Sequence, residues 1–196
     1  MIARLHRRDV VRELLRERGG LLVVAGLGST AWDCTAAGDA PLTFPMWGAM
    51  GTAAMLGLGL ALAQPRRRVL VVTGDGEMLM GLGSLATIGA EQPRNLAIAV
   101  IDNERYGETG MQETHTARGL DLASVARSCG FRNARQIRDQ TGVTAFRAAI
   151  HASPGPAFAQ IKVIPEKLPL VLPPVDGARL RDRFRRALST ARAAAR

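Results

Sequence analysis

The sequence predicts a doubly wound α/β domain, a single parallel sheet with helices on both faces. Three observations carry that prediction. Apolar stretches such as "LLVVAG", "RVLVVTG" and "NLAIAVI" are continuous rather than alternating, as strands buried on both faces read. Helix-like segments separate them, the βα alternation of a parallel sheet. Glycines, aspartates and an asparagine gather immediately after the apolar runs, where ligands bind in such sheets. The 196 residues suffice for one domain with a proper core and not for two substantial ones.

Residues 3–18 place Leu5, Val10, Val11, Leu14 and Leu15 at helical spacing, so this segment (taken as residues 1–20) is a helix with one apolar stripe. "GGLLVVAG" is the first buried strand, and "LGSTAWDCTAAGDAPLTFPM" after it reads as a polar, Gly- and Pro-bearing loop. "GAMGTAAMLGLGLALAQ", rich in small residues, is a buried helix that ends before Pro65. A second strand in "RVLVVTG", a second helix in "MGLGSLATIGAEQ" and a third strand in "NLAIAVIDN" follow. "LDLASVARSCG" and "TGVTAFRAAIHAS" are helical, and "PAFAQIKVI" is the last strand. These elements make one domain over residues 20–165. Residues 166–196 then hold an irregular connector with Pro169, Pro173 and Pro174, and a basic C-terminal helix.

Composition narrows the function. Lys and Arg outnumber Asp and Glu by 26 to 17, but aromatics are 4% and the arginines are scattered, with no RNA-binding signature. The basic helix "GARLRDRFRRALSTARAAAR" reads as a solvated or partner-contacting face, and an anionic substrate or cofactor also suits a positive field. Cys34 and Cys129 lack metal-type spacing, which implies a reduced, cytoplasmic setting. The N-terminus is charged and amphipathic, unlike a signal peptide. The most apolar stretch, Ala49 to Ala63, is 15 Gly-interrupted residues, too short to span a bilayer.

"GLGSTA", Gly26 to Ala31, matches a dinucleotide fingerprint by letter. It lacks the acidic residue that should follow after about 20 positions, and a loop rather than a helix is expected after it. No Gly-Lys-Ser/Thr occurs, which excludes a P-loop. Ser29 and Thr30 are either phosphate donors at a strand's carboxyl end or ordinary turn residues. Asp75 stands between Gly74 and Gly76 after the second strand, and 25 residues separate Gly76 from Asp102 and Asn103, which end the next strand. Adjacent parallel strands bring Asp75 and Asn103 to one sheet edge. A carboxylate and an amide oxygen there are hard ligands of the kind Mg²⁺ takes together with phosphate.

"GDGE" through "DNERYG", with "WGAMG" upstream, resembles the signature of thiamine diphosphate-dependent enzymes. The stretch on through "YGETGMQETHT" is most similar to sulfopyruvate decarboxylase β subunits and phosphonopyruvate decarboxylases. The resemblance implies Asp75, Asn103 and the Arg105 backbone carbonyl as Mg²⁺ ligands. It implies Gly74, Gly76 and Glu77 at the diphosphate, Ser29 and Thr30 as further donors, and Tyr106 and Gly107 among the cofactor contacts. Met50 falls where the family places an apolar wedge under the bent cofactor, and the Gly48 carbonyl where the aminopyrimidine is held. Asp102 departs from the family's first Asn, while the ligand position, Asn103, is retained. His115 is a candidate for proton shuttling or anion binding, with a surface-loop histidine as the alternative. His6 and His151 read as structural.

Such enzymes need a second, pyrimidine-binding domain whose glutamate activates the cofactor, and this chain has no length for it. The resemblance therefore implies the β subunit of a two-chain decarboxylase of a 3-substituted pyruvate, using thiamine diphosphate and Mg²⁺. A separate α subunit would supply the glutamate, and no nucleic acid or membrane is involved. The alternatives are a carboligase of the acetolactate synthase type and a non-catalytic cofactor-binding subunit.

Overall fold

The computed structural model describes residues 5–193; the outermost residues of the two expected terminal helices lie outside them. Helix α1 (Arg7–Leu14) leads into β1 (Leu22–Ala25), α2 (Ser29–Ala36), β2 (Thr43–Pro45) and α3 (Ala53–Ala63). Then follow β3 (Val69–Gly74), α4 (Asp75–Met80), α5 (Ser84–Glu91) and β4 (Leu96–Asp102). A short hairpin of β5 (Arg105–Tyr106) and β6 (Gln112–Glu113) precedes a 3₁₀ turn at His115–Arg118. The chain finishes with α6 (Leu122–Ser128), β7 (Asn133–Ile137), α7 (Gln140–Ala152), β8 (Ala157–Lys162) and α8 (Gly177–Ala193).

Six strands form one sheet in the order β2-β1-β3-β4-β8-β7, and every pairing in it is parallel. The period of two along each strand sorts side chains onto two faces. Val23, Leu70, Val72, Ala99 and Ile101 pack under α1 and α7 with Val10, Leu14, Phe146 and Ile150. Val24, Val69, Val71, Ile98 and Val100 pack under α3, α5 and α6 with Leu58, Leu85, Ile88 and Leu122. Strand order reverses at β1, which has β2 on one side and β3 on the other. A crevice outside the carboxyl ends of β1 and β3 is the binding position that this topology creates. Among the described residues no helix is long and apolar enough to cross a membrane.

The structure corrects four sequence expectations. Residues 29–36 form helix α2 rather than loop, because Ala31 and Cys34 are buried and Asp33 is held by Arg7 and Arg8 of α1. Helical structure also starts at Asp75, directly after β3, and breaks around Gly81 into two short helices. Two strands went unread. β2 is only three residues long, and β7, "NARQI", is a half-exposed edge strand without an apolar run. Helix α3, expected to be buried, exposes Met55, Leu56 and Leu62. The basic C-terminal helix keeps most of its charged face in solvent, while Phe184 meets Phe44 edge-on at 5.6 Å and Arg183 pairs with Asp39 at 2.6 Å.

Part of the chain's positive charge is explained at the opposite, amino-terminal edge of the sheet, where α3, α5 and α7 end. There Arg68 donates to the carbonyls of Ser153 and Arg94 at 2.6 and 3.2 Å, and Asn95 donates to the Ala61 and Gln64 carbonyls, both at 3.0 Å. Cationic and amide donors of this kind answer the negative ends of helices.

Candidate active site

A cavity of about 320 Å³ opens at the carboxyl ends of β1, β3 and β4. That is the lower end of the ~300–1,000 Å³ range of small-molecule sites. Ser29 after β1, Gly74 at the end of β3 with Asp75 to Glu77 after it, and Asn103, Arg105, Tyr106 and Gly107 after β4 all line it, and Met50 enters from the loop before α3. The pairing of β3 with β4 runs to Gly74 opposite Ile101, so Asp75 and Asp102 leave the sheet side by side.

Asp75 is 2% exposed. Its Oδ2 accepts from Thr114 Oγ1 at 2.6 Å and lies 3.2 Å from Thr116 Oγ1. The Thr116 hydroxyl also lies 2.7 Å from Asp102 Oδ1, and with one proton to give it donates to this nearer carboxylate. Burial first, and the Asp102 charge second, push the Asp75 carboxyl up to about 6. Asp102 is fully buried, and its charge is met by Lys162 Nζ at 2.8 Å and Gln160 Nε2 at 2.6 Å from the neighbouring strand. The residue that departs from the family's asparagine therefore faces into the sheet edge and a lysine, while Asn103 lines the cavity. Asn103 Oδ1 accepts from the Arg105 N–H at 3.0 Å, which fixes the turn that carries both residues.

The glycine at position 76 is required by contact. A Cβ there would sit 2.6 Å from the Tyr106 ring and 3.5 Å from Met50 Cε, so side chains from two other loops close on this backbone. The Met50 loop is held in turn by backbone contact, because a Cβ on Gly81 would overlap the Gly51 carbonyl. Ala49 in the same loop has φ 58°, left-handed backbone that a non-glycine residue seldom adopts.

Three expected site residues do not reach the cavity. The Thr30 hydroxyl donates to the Gly26 carbonyl at 2.8 Å and is spent within its own turn. Gly48 is exposed in the loop and does not line the cavity. His115 is exposed, because its neighbours Thr114 and Thr116 are the residues turned inward onto Asp75. Those two threonines were missed by sequence reasoning, although the Thr-His-Thr alternation carries the signal. Arg7, Met80 and Glu108 also line the cavity without having been expected.

Among the described residues no three His, Cys, Asp or Glu side chains gather as a metal cluster. A cation here would draw on a mixed oxygen set, one carboxylate, one amide and backbone carbonyls, with phosphate and water completing it. That is the donor chemistry of Mg²⁺ rather than of zinc. The buried carboxylate, the glycine cradle and the thioether above it fit a metal-bound diphosphate with an attached ring.

Comparison with known proteins agrees with this geometry. Residues 31–161 match the family model of the thiamine pyrophosphate enzymes' C-terminal TPP-binding domain. Sulfopyruvate decarboxylase subunit beta of Methanothermobacter thermautotrophicus is 40% identical over 163 residues, 83% of this chain and 84% of that protein. Phosphonopyruvate decarboxylase of Streptomyces viridochromogenes is 39% identical over 169 residues, 86% of this chain but 42% of that longer protein. An X-ray structure described as that of a thiamin diphosphate-dependent enzyme from Mycobacterium smegmatis superposes with a TM-score of 0.68 at 22% identity. It covers 84% of this chain and 32% of that one, a likeness of fold.

Proposed function

The chain belongs to the thiamine pyrophosphate enzymes through their C-terminal cofactor-binding domain, and on that premise we propose that it is the β subunit of a two-chain decarboxylase of a 3-substituted pyruvate. Sulfopyruvate and phosphonopyruvate are the substrates that its relatives' names suggest. The observation that carries the reading is the convergence of Asp75, Asn103 and Met50 on one crevice at the strand-order reversal.

In this reading the Asp75 carboxylate, the Asn103 amide oxygen and the Arg105 carbonyl hold Mg²⁺. The Thr114 bond falls on Asp75 Oδ2, and Oδ1 is the oxygen offered to the metal. Backbone N–H groups of Gly76 and Glu77, with Ser29, meet the diphosphate at the start of α4, where the helix's positive end favours an anion. Met50 supports the ring system from below. Bound thiamine diphosphate supplies the electron sink that decarboxylation of a 2-oxo acid requires. Met50, Met80 and Ile101 give the crevice apolar walls, which exclude water once a partner chain covers Met80.

The partner is a pyrimidine-binding chain that supplies the activating glutamate. Two observations support it. The Methanothermobacter relative, matched over 84% of its length, is named as a subunit beta, a name that implies a companion chain. Met80 in the crevice wall is 63% exposed, and Met55 and Leu56 at the start of α3 are 41% and 40% exposed, the apolar character of a surface that another chain covers. A cytoplasmic location completes the reading.

Calorimetric titration of Mg²⁺ and thiamine diphosphate into wild type and Asp75→Ala tests the cofactor assignment. Wild type binds, and the variant loses Mg²⁺-dependent binding while keeping its circular dichroism spectrum. Undiminished affinity in Asp75→Ala would refute the metal assignment.

A further inference from the structure

Helix α1 lies outside the motif region, yet its first residue reaches the crevice. Arg7 is 4% exposed and lines the cavity beside Ser29. Its guanidinium is fixed from behind: Nη1 donates to Asp33 Oδ2 and lies 3.3 Å from the Ser29 carbonyl oxygen. Asp33 is shared, because Arg8 Nε donates to its other oxygen at 3.0 Å, so Arg7 is not neutralised one for one. Glu166 accepts from the Arg7 backbone N–H at 3.1 Å and meets the His6 ring at 2.9 Å, with no bond to the Arg7 guanidinium. A buried arginine anchored on one side and open on the other to a cavity is built to receive an anion.

An anion already stands nearby. Glu108, at the tip of the β5–β6 hairpin, turns its carboxylate back into the same cavity. It covers Gly28, where a Cβ would lie 2.9 Å from Glu108 Oε1. Partial burial pushes the Glu108 carboxyl up, and the field of Arg7 is the influence that opposes this.

We propose that Arg7 is the crevice's fixed cation for the cofactor's diphosphate, and that the Glu108 carboxylate holds that place until the diphosphate displaces it. The inference rests on the cofactor reading above and adds to it a residue from outside the matched motifs, with a built-in competitor. Its consequence is that the two residues act in opposite directions on affinity. Removing the cation weakens binding of phosphorylated cofactor, and removing the competing carboxylate tightens it.

The test is calorimetric, on the full chain, with Mg²⁺–thiamine diphosphate at up to millimolar concentration and unphosphorylated thiamine as the control. Arg7→Gln should weaken thiamine diphosphate binding about tenfold, the scale of one charged hydrogen bond. It should leave thiamine unchanged, and Arg7→Lys should restore most of the loss. Glu108→Gln should tighten thiamine diphosphate about threefold, again without effect on thiamine, by removing a competitor that favours the free state. Should Arg7→Gln fail to fold for want of a full set of Asp33 partners, Glu108→Gln decides alone, since Glu108 makes none of the bonds to Asp33. Wild-type affinity for thiamine diphosphate in Glu108→Gln, or equal losses for thiamine and thiamine diphosphate in Arg7→Gln, overturns the inference and leaves the cofactor reading standing. Failure of wild type to bind thiamine diphosphate at all refutes the cofactor reading itself.

Discussion

Lys162 on β8 and Asp102 on β4 are register partners in adjacent parallel strands, and their side chains meet at 2.8 Å. The Asp102 side chain is wholly buried and that of Lys162 is 12% exposed, so the pair sits in the sheet edge just behind the candidate metal site. Lys162 also reaches Glu104 at 2.6 Å. This lysine lets a carboxylate occupy the position where the family has an asparagine.

A stability asymmetry follows. Lys162→Met strands a buried charge and should cost about 3 kcal/mol. Asp102→Asn should cost less, about 1–2 kcal/mol: an amide oxygen still serves Thr116 and Lys162 keeps Glu104, while the new NH₂ group faces Gln160 Nε2. The double variant should recover most of the loss of Lys162→Met. Urea unfolding of the three proteins checks this; equal costs for both single variants would contradict the asymmetry.

Asp75 sets a pH dependence. Burial, and then the Asp102 charge, push its carboxyl up from the ordinary 3.8 to about 6. The folded chain therefore holds an extra proton between these two values. This group's contribution to stability is fully present below about pH 4 and is lost as the pH rises through about 6. Asp75→Asn removes that slope and should melt no lower than wild type at about pH 7.5, because it deletes a buried charge and leaves an oxygen for Thr114. Mg²⁺ needs the carboxylate form, so cofactor affinity should fall as the pH drops below about 6. Thermal melts and calorimetry across this range report both trends; a slope retained in Asp75→Asn would assign the titration elsewhere.

The Met50 loop gives a third prediction. Gly81→Ala drives a methyl into the Gly51 carbonyl and should destabilise by about 1–3 kcal/mol as overpacking. Met50→Ala should leave the fold intact and cost turnover more than cofactor affinity, measured with the partner present. Turnover equal to wild type would make Met50 plain packing.

How much of this was legible depended on where the information lay. β3 and β4 were readable because strands covered on both faces are continuous apolar runs, and Asp75 and Asn103 stand at their ends. Helix α2 was not readable: it is eight residues of weak pattern, and it owes its stability to Arg7 and Arg8, which lie about 25 positions away and are brought to Asp33 only by the fold. β7 was hidden by its polar edge position. His115 was chosen as the histidine nearest the motif, whereas backbone alternation turns Thr114 and Thr116 inward in its place. Arg7 carried no local signal, since its role exists only once α1 packs on α2.

If this chain is half of a decarboxylase, CO₂ release from sulfopyruvate or phosphonopyruvate shows it. Release is measured with the purified chain alone and again after addition of a pyrimidine-domain subunit, with Mg²⁺ and thiamine diphosphate in both. The chain alone should release none and the mixture should sustain release, abolished by Asp75→Ala. Sustained release by the chain alone, free of any co-purified partner, would contradict the two-chain reading, because the activating group would then lie within these 196 residues.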